Sequence, residues 1–195
     1  MSKVLNLEEK FPILAIEDNT VISKMADITL CFELEMPEIF SLNETDYDYL
    51  STLWERALGI LPINTVLHKQ DWYIEERYLP NYDAEYLLKA KIVAHANERH
   101  FANRPFLSSK SYLFITKSTS TVEKKICTSS NLFKAKAIPK TQLNEKDKKE
   151  FVEAVGQFIM ILKESGFYKV HEINGEQISK IYHNYSSLSF KENSI

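Results

Sequence analysis

The chain of 195 residues carries 24 basic and 27 acidic side chains, a net charge of −3, with 44% hydrophobic and 12% aromatic residues. That balance excludes a disordered, collagen-like or low-complexity polymer, and the length supplies a hydrophobic core without disulfide staples. Only four glycines are present, at 59, 156, 166 and 175, which excludes the Gly-rich phosphate loops.

Ile13 to Glu17 reads as a short strand ending at the turn-forming Glu17-Asp18-Asn19-Thr20. Asp27 to Met36 alternates: Ile28, Leu30, Phe32, Leu34 and Met36 share one face, and Asp27, Thr29, Cys31, Glu33 and Glu35 the other. A period of two predicts a half-buried strand with a wet side, paired with the first strand as a hairpin. Asn43 to Asp46 opens a helix whose predicted stripe is Tyr47, Leu50, Trp54, Ala57, Leu58 and Leu61. Gly59 and Pro62 end it.

A long strand follows over Thr65 to Tyr78, with Val66, His68, Gln70, Trp72 and Ile74 on one side. A helix then runs to about Phe101, with Ala84, Leu87, Leu88, Ile92 and His95 near one stripe, and Pro105 closes that region. Ser111 to Lys117 reads as a strand covered on both faces, 118–130 as a loop and Leu132 to Ile138 as a strand. Asn144 starts a helix buried through Phe151, Val155, Phe158, Ile159 and Leu162, and Gly166 ends it. Tyr168 to Ile173 is a short strand. Asn174 and Gln177 resemble a capping box before a last helix carrying Ile178, Ile181, Tyr182, Tyr185 and Leu188. The intermixed elements predict one α+β domain over 1–195, a mainly antiparallel or mixed sheet packed with helices.

The glycine spacings admit no Walker A loop, no G-x-G-x-x-G and no G-x-S-x-G. Of the five histidines, His95 and His100 are five apart, about 140° around a helix, which is not the i,i+4 pair of a zincin. Cys31 and Cys127 have no metal or redox spacing and read as reduced thiols of a cytosolic protein. No signal peptide and no membrane span is legible. The residues themselves therefore offer no catalytic, metal or cofactor constellation.

Charge is uneven. Residues 1–60 hold 12 acidic against 4 basic side chains, a net of −8, whereas 117–140 hold 1 against 6, a net of +5. The basic patch is Lys124, Lys125, Lys134, Lys136 and Lys140, a place where nucleic-acid phosphates could be met. The acidic first third opposes broad phosphate contact, so nucleic acid is not the favoured partner. Trp72, beside Gln70, Asp71 and Tyr73, reads as a core or interface anchor before a base-stacking platform.

Blocks of sequence carry a resemblance that composition does not. They are Lys10-Phe11-Pro12-Ile13-Leu14, Ile22-Ser23-Lys24, Ala26-Asp27-Ile28-Thr29, Leu34-Glu35-Met36-Pro37-Glu38 and Val66-Leu67-His68-Lys69-Gln70-Asp71-Trp72. Glu76-Arg77-Tyr78, Glu98-Arg99-His100-Phe101, Arg104-Pro105-Phe106-Leu107 and Tyr112-Leu113-Phe114-Ile115-Thr116-Lys117 continue them in order. Over roughly 10–140 the chain resembles the N-terminal region of TraG-type ATPases, the type IV secretion motors of conjugative transposons. The resemblance implies a docking domain that lacks the nucleotide-binding domain, so ATP and Mg would belong to a C-terminal domain outside this chain. The implied partners are inner-membrane channel subunits and neighbouring ATPase subunits. The implied location is cytoplasmic, peripheral to the inner membrane. His68, Gln70, Asp71, Trp72, Arg99, His100 and Arg104 are the candidate structural or docking residues. Arg99 and Arg104 are expected to meet carboxylates, either of the acidic first third or of a partner.

Overall fold

The computed structural model describes residues 12–80, 91–118 and 145–187. The fold is α+β. A six-stranded antiparallel sheet is built from β1 (Ile13–Glu17), β2 (Thr20–Ser23), β3 (Ile28–Glu35), β4 (Thr65–Arg77), β5 (Pro105–Lys117) and β6 (Lys169–Glu172). Its order is β1-β2-β3-β5-β4, and β6 joins β3. The helices are α1 (Glu44–Leu58), α2 (Lys91–Ala102), α3 (Glu145–Glu164) and α4 (Gly175–Ser187). No helix among the described residues is long and apolar enough to cross a membrane.

The first hairpin differs from the sequence expectation. β1 pairs with β2 rather than with β3, and β2 pairs with β3, so the chain opens as a three-strand meander. β2 was missed because it has four residues and only Val21 is buried, too short for a period to show. Asp18 sits at φ 50° in the tight connection from β1, a backbone that Asp tolerates better than most residues. Ala26, at φ 62°, turns β2 into β3, and the Ser23 hydroxyl holds that turn by accepting from the amides of Met25 and Asp27.

Two cores lie on opposite faces of the sheet. On one face Ile28, Leu30, Phe32 and Leu34 of β3 and Leu113 and Ile115 of β5 pack under α1 and α3. Phe151, Val155, Phe158, Ile159 and Leu162 of α3 are all buried there, as their spacing predicts. The buried residues of α1 are Leu50, Leu53 and Ala57. Tyr47 and Leu58 are exposed, so the true stripe is narrower than the predicted one and runs through Leu53. Asn43 caps α1: its side chain accepts from the Asp46 amide, and the Asp46 carboxylate accepts from the Asn43 amide.

The second core joins Val21, Cys31, Trp72, Ile74, Tyr112, Phe114 and Ile173 with Ile178 and Ile181 of α4. It overturns the wet face expected for β3. Cys31 is fully buried because α4 closes over the middle of that side, while Glu35 at the strand's end stays exposed. The capping box before α4 is present: the Asn174 side chain accepts from the Gln177 amide, and the Gln177 side chain accepts from the Asn174 amide. The strand expected at 132–138, the loop at 119–130 and the basic patch lie outside the described residues.

Candidate docking surface

β4 and β5 form the longest pairing in the sheet, running from Thr65 opposite Lys117 to Arg77 opposite Pro105. β3 accompanies β5 only over Ser111 to Lys117. From Trp72 and Lys110 outward, β4 and β5 therefore continue as a two-stranded ribbon, and α2 stands between the ribbon's two strands in sequence. The sequence placed the start of β5 at Ser111, six residues late. The missed stretch faces solvent on both sides, with Phe106 and Leu107 exposed, so it carries no burial period. Pro105 fits there because a proline is tolerated as the first residue of a strand.

The two sequence blocks singled out as docking candidates sit apart: His68 to Asp71 lie on β4 just before the ribbon, with Trp72 at its start, and Glu98 to Phe101 lie on α2. His68, Gln70 and Trp72 share one face of β4, since their β5 partners are Phe114, Tyr112 and Lys110. Only Trp72 of the three is buried, meeting Tyr112 edge-on at 5.1 Å between ring centroids. His68 is exposed, its ring 5.9 Å from that of Phe114. Asp71 projects from the opposite face. Lys69 Nζ donates to its Oδ2 at 2.6 Å, and Ser111 Oγ donates to its Oδ1 at 2.6 Å. The Lys69 ammonium, and after it the Ser111 hydroxyl, holds the Asp71 carboxyl below the usual carboxylate range.

The second block lies at the ribbon's far end. Tyr78 Oη donates to both carboxylate oxygens of Glu98, at 2.9 and 3.1 Å, and the Tyr78 ring meets Phe101 edge-on at 6.2 Å. Glu98 is buried. The sequence assigned the inner stripe of this helix to Ile92 and His95, which are both exposed; Ala84, Leu87 and Leu88 lie outside the described residues. A buried carboxylate does not register as core in a hydrophobic pattern, which is why Glu98 was passed over. Arg99, His100 and Arg104 are all exposed, and His100 stacks edge-on to Phe101 at 5.6 Å. Neither arginine forms an ion pair among the described residues, so the expected contact with the acidic first third is not made there.

Several apolar side chains of α2 and the outer ends of β4 and β5 are exposed. Leu79, Ile92, Val93, Phe101, Phe106 and Leu107 are exposed, with Ile92 87% accessible. Exposed apolar residues rimmed by polar ones are a common feature of binding surfaces, and Arg99 and Arg104 are exposed on the same segment, which makes this end the candidate surface. Among the described residues no group of three His, Cys, Asp or Glu side chains is placed to hold a metal ion.

The family model of a domain of unknown function, DUF3875, described as "B. Theta Gene description", matches residues 1–52. Within the described residues that segment contains the β1-β2-β3 meander and the first half of α1, and it stops short of the ribbon. No curated protein matches the chain.

Proposed function

We propose that this chain is a non-catalytic docking domain of a conjugative DNA-transfer machine, the N-terminal part of a TraG-type motor. In that role it ties the motor to inner-membrane channel subunits and to neighbouring motor subunits at the cytoplasmic face of the membrane. The observation that carries the docking role is the apolar, arginine-bearing end of the β4–β5 ribbon. Support for the conjugation setting comes from the His68-Lys69-Gln70-Asp71-Trp72 and Glu98-Arg99-His100-Phe101 blocks, which carry the sequence resemblance. ATP and Mg have no role in this chain under the proposal.

The test is a pull-down of conjugation channel subunits by the chain and by Ile92→Glu and Leu107→Glu variants, with Met160→Glu on α3 as the control. All three residues are exposed, so the fold should survive each change. Lost capture by the first two with capture kept by the control supports the proposal. Equal capture by all, or capture by none including the parent chain, overturns it. A salt titration of single-stranded DNA binding tests the rival role of Lys124, Lys125, Lys134, Lys136 and Lys140, whose hallmark is affinity falling steeply with salt.

A further inference from the structure

The two ends of the sheet are built differently. β1 has five residues, follows Pro12 and carries a register shift against β2. Shortness, a bulge and a flanking proline are the devices by which proteins keep sheet edges from pairing with other chains. β4 has thirteen residues, no proline and an unbroken register with β5, and among the described residues no strand pairs with its outer side. Along it Val66 and Tyr73 are 53% and 69% exposed.

We infer that the outer edge of β4 pairs with β4 of a second copy of this chain, antiparallel about a two-fold axis at Gln70, making one continuous sheet. The register follows from the charges. Centred on Gln70, Lys69 lies opposite the partner's Asp71, His68 opposite the partner's Trp72, Leu67 opposite the partner's Tyr73, and Val66 opposite the partner's Ile74. One opposite-charge pair, one aromatic pair and two apolar pairs thus face each other, each twice over by symmetry. Centring on Lys69 or on Asp71 instead sets like charges directly opposite, which is destabilising. Centring on Trp72 sets Lys69 opposite the partner's Glu75 but leaves Thr65 and Val66 without a strand partner. This inference uses only the edge of β4 and does not rest on the conjugation reading.

Sedimentation velocity over a concentration series tests it, with Lys69→Asp, Asp71→Lys and the double swap. Each single change should weaken dimerisation about tenfold or more, because it places like charges opposite at two symmetric positions. The double swap should restore it, with circular dichroism reporting that each variant folds. An independent arm replaces Gln70 with Cys in a Cys127→Ser background. Directly opposed residues of antiparallel strands have Cα atoms about 4.5–5.5 Å apart, within disulfide reach. Gln70→Cys should therefore oxidise to a covalent dimer, and Asp71→Cys should not. A chain that stays monomeric, a dimer indifferent to both single changes, or cross-linking through position 71 but not 70 would each overturn the inference. So would a monomer whose β4 amides resist hydrogen exchange, since the edge would then belong to another segment of the same chain. Ile92→Glu and Leu107→Glu should leave the dimer intact, which separates this result from the docking test.

Discussion

The hydroxyl of Tyr78, just past the end of β4, donates to both carboxylate oxygens of Glu98, and this contact fastens α2 to the ribbon. Glu98 is buried, so its carboxylate depends on such donors to offset the loss of water. Tyr78→Phe removes the donor to this buried group, and leaving a buried polar group short of a partner costs about 1–3 kcal/mol. Because α2 sits at the ribbon's end, the loss should be local. Hydrogen exchange should quicken across 91–102 while the unfolding of the sheet is little changed. Unaltered exchange in α2 would show that the contact does not hold the helix.

Trp54 Nε1 donates to Tyr168 Oη at 2.9 Å, joining α1 to the start of β6. The Trp54 ring also meets Phe158 and Tyr168 edge-on, at 5.8 and 5.7 Å. Trp54→Phe keeps an aromatic ring but strands the Tyr168 hydroxyl inside the core. We expect a loss of about 1–3 kcal/mol by denaturant unfolding. Trp72→Ala, which empties a buried site on the other face, should cost more, about 3–5 kcal/mol. A Trp72→Ala chain as stable as the parent would contradict its place in the second core.

Burial pushes the Cys31 thiol up to about 12, so at pH 8 essentially none of it is thiolate. In a Cys127→Ser background, labelling by a thiol reagent at that pH should be slow and should rise with denaturant along the unfolding curve. Fast labelling of the folded protein would show that α4 does not cover the sheet as described.

Asp71 is stabilised in its charged form, so its folded pKa lies below its unfolded value near about 3.9. The stability it contributes is present above that unfolded value and is lost as pH falls through the lower folded one. Asp71→Asn should be less stable than the parent at neutral pH, and the gap should close as pH drops below about 4. The comparison belongs at one low protein concentration, so that self-association does not enter. A gap independent of pH would assign the effect to packing instead of charge.

Ala26 holds φ at 62°, a conformation that costs an L-residue about 1–2 kcal/mol. Glycine removes that cost and adds an unfolded-state entropy of about 0.4–1 kcal/mol. Ala26→Gly should therefore stabilise by roughly 0.5–1 kcal/mol, visible as a raised Tm.

Where side chains face one dry side and one wet side, sequence and structure agree. The stripe of α3 is of this kind, the inner face of β3 through Ile28, Leu30, Phe32 and Leu34 is buried as expected, and both capping boxes follow from Asn43 and Asn174 binding local amides. The failures have physical causes. β2 is too short for a period. Cys31 lies on a face dried by α4, an element far along the chain whose docking no local pattern encodes. Pro105 to Lys110 is wet on both sides, so its strand character comes only from pairing with β4. At the candidate surface, Trp72 and the arginines were legible as unusual residues. The buried Glu98 was not, because only the fold shows that Tyr78 reaches it.

β3 is made early in synthesis yet finishes its pairing last. One side takes β5 from beyond residue 104, while the other is shared by β2 next to Ile28–Leu30 and by β6 next to Phe32–Glu35. The meander can close with local contacts as soon as it leaves the ribosome, but the joins to β5 and β6 span long stretches of chain and form slowly. Until β6 arrives, half of one margin of the central strand stands open among the crowd of nascent chains. Translation paused or cut short before residue 169 thus yields a species primed for aggregation, so the C-terminal segment acts as the latch that completes the sheet.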